Sequence, residues 1–135
     1  ALARTSMQRA CDLGQLSSCR EVADLYVRGV GGEADNNLAL RAVAMACPEV
    51  SAQNPDLCVS AADFVLINMR SGVARAMRVR TFIKRACDIG HDIGCAWYAE
   101  DLELGIGGRA DPQGARQARL VACEYGDQDS CNPRS

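Results

Sequence analysis

The sequence predicts an all-α chain of repeated helix–loop–helix units, and three observations carry that expectation. Eight cysteines fall in four pairs, Cys11/Cys19, Cys47/Cys58, Cys87/Cys95 and Cys123/Cys131, whose first members are 36, 40 and 36 residues apart. A period near 36 marks a repeat array. The text around the pairs also repeats: Ala10-Cys11-Asp12-Leu13-Gly14 matches Ala86-Cys87-Asp88-Ile89-Gly90, with Ala122-Cys123-Glu124-Tyr125-Gly126 close to both. Between pairs, apolar residues recur at helical spacing, punctuated by glycines and aspartates where helices stop and start.

The chain opens in the second helix of a partial unit before Cys11. Three units follow, at about 11–46, 47–86 and 87–122, and a partial one ends just after Cys131, as in a processed or excised segment. All 135 residues read as one domain. In repeat one the first helix spans about Leu16 to Arg28, with Val22, Ala23, Leu25 and Tyr26 as its apolar stripe. Gly29, Gly31 and Gly32 stop it, because glycine takes the positive φ of a helix exit. Asp35 is placed to cap the second helix, which buries Leu38, Ala39, Ala42, Val43 and Ala46. Repeat three runs the same way through Tyr98, Ala99 and Leu102, Gly105 to Gly108, and a cap at Asp111 with Pro112 at the first helical position.

Repeat two departs from this scheme. After Ala61, Ala62, Phe64 and Val65 it has Asn68-Met69-Arg70-Ser71-Gly72, with no double glycine and no aspartate. Ser71 is the expected substitute cap. The loop from Pro48 to Pro55 holds the three extra residues, so this unit should bend differently at both ends.

An even cysteine count in a small chain reads first as a disulfide framework. Alanine is about one residue in six and aromatics are 4%, so the core is thin. Each pair joins the end of one helix to the start of the next. Three of the spacers hold seven residues; a turn that short can bring two Cα atoms within the ~5.5–6 Å a disulfide prefers. Each bridge contributes about 2–3 kcal/mol in the chain-entropy model. Zinc would call for closely spaced C-x₂₋₄-C ligands, and the sequence has none, with a single histidine. Neither metal nor cofactor is expected, and the disulfide density points to an oxidising compartment, secreted or periplasmic.

Composition excludes several classes. The 15 basic and 17 acidic residues leave a net charge of −2, against a dedicated nucleic-acid binder. At 48% hydrophobic the chain is no disordered segment. No apolar run approaches the roughly 20 residues of a membrane span.

Cys11-Asp12-Leu13-Gly14, then Cys19, a Leu25-Tyr26 helix, and Gly29-x-Gly31-Gly32 with a capping Asp35 resemble Sel1-like repeats, relatives of tetratricopeptide repeats. The paired cysteines make the chain similar to the disulfide-bridged subgroup typified by the Helicobacter cysteine-rich proteins. The resemblance covers the whole chain and implies a right-handed α/α solenoid. It also implies an exported protein that binds proteins or peptides on its concave face, as a monomer or part of a larger chain. Some members of the subgroup are described as β-lactam-binding or β-lactamase proteins, which gives an alternative: a cell-wall or β-lactam-binding protein with at most weak hydrolysis. Two departures stand out: Asp101 sits where the pattern wants an apolar residue such as Leu25, and Asn68 where it wants Gly29 or Gly105.

The residues favour interaction over catalysis. A Ser-x-x-Lys nucleophile is missing, since the one lysine, Lys84, follows Thr81. The one histidine, His91, lies in a disulfide-closed turn as an exposed turn or cap residue without a nucleophile beside it. The pairing leaves no thiol, and the glycine loops lack the lysine of a phosphate loop. In tetratricopeptide-like stacks the first helices line the groove. Two, five and nine residues after the second cysteine stand Glu21, Asp24 and Arg28 in repeat one, Ser60, Asp63 and Ile67 in repeat two, and Trp97, Glu100 and Leu104 in repeat three. These positions share one helix face. It would be acidic along its middle, suited to an extended peptide with basic groups, and Trp97 would anchor an apolar or cationic side chain. The competing reading is a solvated acidic face with Trp97 in the core. A basic run, Arg70, Arg75, Arg78, Arg80, Lys84 and Arg85, falls mostly on the second helix of repeat two and reads as a solvated face neutralised by neighbours such as Asp88 and Asp92.

Overall fold

A computed structural model describes residues 2–48 and 54–132. Seven α-helices follow one another, with no strand among the described residues: α1 (Leu2–Asp12), α2 (Leu16–Arg28), α3 (Asn36–Ala46), α4 (Pro55–Asn68), α5 (Val73–Asp88), α6 (Asp92–Leu104) and α7 (Pro112–Glu124). A short 3₁₀ turn, Gln128–Cys131, closes the described chain. The hairpins α2–α3, α4–α5 and α6–α7 are the three repeats, and α1 is the second helix of a partial unit. The wide loop of repeat two lies mostly outside the described residues.

All four cysteine pairs are disulfides, with Cα–Cα distances of 4.6 Å for Cys11–Cys19, 4.8 Å for Cys47–Cys58, 4.4 Å for Cys87–Cys95 and 4.8 Å for Cys123–Cys131. They join α1 to α2, α3 to α4, α5 to α6 and α7 to the 3₁₀ turn. The first three are buried; Cys131 is exposed.

The helix boundaries follow local chemistry. Gly29 and Gly105 end α2 and α6 in the left-handed conformation, at φ 67° and 71°. Asp35 Oδ1 accepts from the Leu38 N–H at 3.0 Å, and Asp111 Oδ1 from the Gly114 N–H at 2.9 Å. Helix α4 starts with Pro55 at its first position, and Asn54 Oδ1 accepts from the Asp56 N–H. Ser71 is not the cap of α5. That place falls to Gly72, whose backbone at φ 152° makes no side-chain cap, so the four-residue loop Met69–Gly72 enters the helix uncapped. Its counterparts Gly29–Asp35 and Gly105–Asp111 are longer.

The core is small-residue and discontinuous. One cluster unites α2 to α5 around Val22, Tyr26, Val43, Phe64, Val65, Phe82 and Ile83, with many alanines between. Repeat three has its own, made of Ala99, Leu102, Ala115 and Ala118. Tyr98 touches both. Between repeats two and three the apolar core is divided, and Tyr98 and the buried Cys87–Cys95 bridge with Ala122 join its parts.

Candidate functional site

The first-helix face is exposed, as the register requires. Glu21, Arg28, Asp63, Ile67, Trp97, Glu100 and Leu104 all face solvent. Trp97 is 40% exposed, Ile67 77% and Leu104 61%. Trp97 is thus no core residue. Two positions are already engaged. Arg20 in α2 donates Nε–H to Ser60 Oγ at 2.8 Å, lies 2.9 Å from Asp24, and stacks 4.9 Å from the Phe64 ring centroid. Asp24 and Ser60 therefore help to lock repeat one onto repeat two. Glu21, Asp63 and Glu100 form no ion pair among the described residues, so each repeat brings one free acid to the face.

A groove of about 420 Å³ opens where α6 meets α4 and α5. Leu66 of α4 and Ala76, Val79 and Ile83 of α5 make one wall; Trp97, Asp101 and Ile106 make the other. Arg75 and Glu100 also line it. A second hollow of about 240 Å³ lies on the other side of α6, between Ile93, Trp97 and Glu100 and the segment carrying Asp127 and Asp129. Trp97 and Glu100 line both, so they form the ridge between two adjoining depressions.

Asp101 is the unusual group here. Burial raises its pKa from 3.8 to about 6; Arg80 pulls it down and Glu100 pushes it up. No described residue pairs with it. Loss of hydration in an apolar groove disfavours the charged carboxylate.

The basic run is not one face. Arg80 donates to the backbone carbonyls of Ile106 at 3.2 Å and Arg109 at 2.9 Å, and its guanidinium sits 6.0 Å from the Tyr98 ring centroid. Arg85 donates to the Cys47 carbonyl at 2.7 Å, Lys84 pairs with Asp88 at 2.9 Å, and Arg70 precedes α5. Two of the six, Arg80 and Arg85, bond to backbone carbonyls outside α5, and Lys84 pairs within its own helix. The hydroxyl of Thr81 donates to the Met77 carbonyl.

His91 caps a helix, but not from an exposed place. Its side chain is 14% exposed, Nδ1 accepts from the Gly94 N–H at 2.9 Å, and Nε2 lies 3.1 Å from Asp56 Oδ1. With Nδ1 accepting at the cap, Nε2 faces Asp56 and brings the start of α6 against the start of α4. Among the described residues no group of three or more metal-ligating side chains comes together, and no helix is long and apolar enough to cross a membrane.

Two solved structures superpose on nearly the whole chain. A Sel1 repeat protein from Oxalobacter formigenes matches at a TM-score of 0.64 and 19% identity, over 93% of this chain and 92% of that one. The chain has the Sel1-like repeat fold. A protective antigen of uropathogenic Escherichia coli displaying an SLR fold matches at 0.62 and 19% identity. The present chain covers 26% of the antigen's length. No protein-family model and no curated protein matches the sequence. Within the Sel1-like fold, four disulfides fit an oxidising environment. The groove residues Leu66, Val79, Arg75 and Ile106 escape the sequence register because they come from different elements; the signal available was the acid at position 101.

Proposed function

We propose that the protein is an exported interaction module. It holds an extended peptide bearing basic groups along the exposed face of α2, α4 and α6, and it is not an enzyme. One observation carries the reading. Asp63 and Glu100, both without ionic partners, share that face with the exposed apolar surface of Ile67, Trp97 and Leu104. Unpaired carboxylates steer a cationic partner, and exposed aromatic and aliphatic side chains hold it once it arrives. The disulfides favour function outside the cytosol.

The test is affinity for a panel of basic and acidic extended peptides, measured with the native protein and with Asp63→Arg/Glu100→Arg. The native protein should prefer the basic peptides, with an affinity that falls as salt rises. The double reversal should weaken it about tenfold or more. Equal binding of basic and acidic peptides would refute the reading. A chromogenic cephalosporin incubated with the same protein should remain unhydrolysed.

A further inference from the structure

The groove between repeats two and three follows from one change of residue. Six residues after the second cysteine, repeat two carries Phe64 and repeat three carries Asp101. Phe64 is 1% exposed and closes its junction with repeat one beneath the Arg20 guanidinium. At the next junction a short carboxylate stands in the place of the ring, and the junction remains open as the groove of about 420 Å³.

The lining is specific in its chemistry. Leu66, Val79, Ile83 and Trp97 give an apolar channel. Asp101 and Glu100 lie beside it without an ionic partner among the described residues. Of the charged lining residues, two are carboxylates and one, Arg75, is a cation, while Arg80 acts on Asp101 from α5. A carboxylate partly withdrawn from water gains most from a cation that brings its own apolar body, since the ligand then restores the ion pair and covers the walls together.

We propose that this groove is the specificity pocket of the peptide-binding face, and that it takes one lysine or arginine side chain of the partner. The methylene stem lies along Leu66, Val79 and Trp97, and the charged head meets Asp101 and Glu100. Arg75 donates to a backbone carbonyl of the same peptide. This inference rests on the peptide-binding reading above. An acidic side chain would face two carboxylates; an aliphatic one would cover Asp101 and leave it unpaired.

Trp97 is the chain's one tryptophan, so its fluorescence reports on the groove. Three blocked pentapeptides, Ac-Gly-Leu-X-Leu-Gly-NH₂ with X as lysine, norleucine or glutamate, are titrated into the intact disulfide-bonded protein. The lysine peptide should give a saturable Trp97 response with a Kd about tenfold below that of the norleucine peptide, and the glutamate peptide none. Asp101→Asn should cut the lysine preference to about threefold or less. Asp101→Phe should fill the groove and abolish the response. Asp12→Asn, on α1, should change nothing, and circular dichroism checks that each variant is folded.

Equal affinity for the lysine and norleucine peptides in the native protein, or a full lysine preference in Asp101→Asn, would overturn the pocket. A lysine preference kept in both Asp101 variants but lost in Asp63→Arg/Glu100→Arg would refute the groove and leave the acidic face standing. No saturable response to any of the three peptides would refute both.

Discussion

Arg4 and Arg80 occupy the same register position and clasp the following glycine loop in the same way. Each stands seven residues before the first cysteine of its pair. Arg4 lies 4.5 Å from the Tyr26 ring centroid and donates to the Glu33 carbonyl at 2.9 Å. Arg80 lies over Tyr98 and donates to the carbonyls of Ile106 and Arg109. The equivalent residue ahead of Cys47 is Leu40, and the loop it would face is the short one of repeat two. Across the three repeats, the arginine accompanies the long loop and is absent where the loop is short.

Removing the clasp should therefore loosen specific loops. Arg80→Ala loses two charge-assisted bonds to backbone carbonyls and should lower the stability by about 1–3 kcal/mol in urea unfolding. Arg4→Ala loses one such bond and should cost less. Leu40→Arg should bring no gain, because the Met69–Gly72 loop is too short to be reached as the others are.

Asp101 makes stability pH-dependent. Its native pKa of about 6 lies above the ordinary 3.8, so between those values the folded state binds more protons than the unfolded one. Stability from this group should fall as pH rises from about 4 to about 6 and stay at the lower level above it. Asp101→Asn should flatten that part of the profile, and Asp101→Leu should raise the thermal midpoint at neutral pH. A profile unchanged by Asp101→Asn would show that the carboxylate is not withdrawn from water.

The four bridges should not break together. Cys131 is exposed while the other three bridges are buried, and access governs thiol exchange. Under limiting reductant Cys123–Cys131 should open first, seen as a mass gain and alkylation at those two cysteines alone. Replacing the Cys11–Cys19 pair by serine should cost about 2–3 kcal/mol in the chain-entropy model. A native protein carrying eight free thiols by mass would contradict the whole arrangement.

Gly107 is held where no side chain fits. Its φ is 75°, and a Cβ there would overlap the Ala76 carbonyl oxygen on α5. Gly107→Ala should cost about 2 kcal/mol or more by combining backbone strain with that overlap. The loop would be pushed off α5, and thermal unfolding measures the loss.

Much of this was legible in the residues because it depends on short-range chemistry. The cysteine ruler placed the repeats, and Asp35 and Asp111 announced their caps three residues before the donors they meet. Ser71 misled because the capping preference of serine was read without the backbone: α5 is entered at Gly72, one residue later. His91 caps α6 as its place in the turn suggests, but the sequence does not show its partial burial or its approach to Asp56, 35 positions earlier in the chain. The run from Arg70 to Arg85 looked like a charged face because sequence shows charge and not the carbonyls that meet it. The groove was hidden for the same reason, since its walls come from three helices. Its one trace was an aspartate in an apolar column.

The position of the disulfides has a consequence under load. Every bridge spans the junction between two repeats, and none spans a hairpin loop. A pulling force applied at the two ends passes through sulfur at each junction and bypasses the residues enclosed there. Apart from the end segments before Cys11 and after Cys131, the stretches 20–46, 59–86 and 96–122 pay out, each one a helical hairpin between fixed knots. The protein should extend in three steps of similar length, and reduction should lengthen the fully drawn chain by the segments the bridges had kept out of the line.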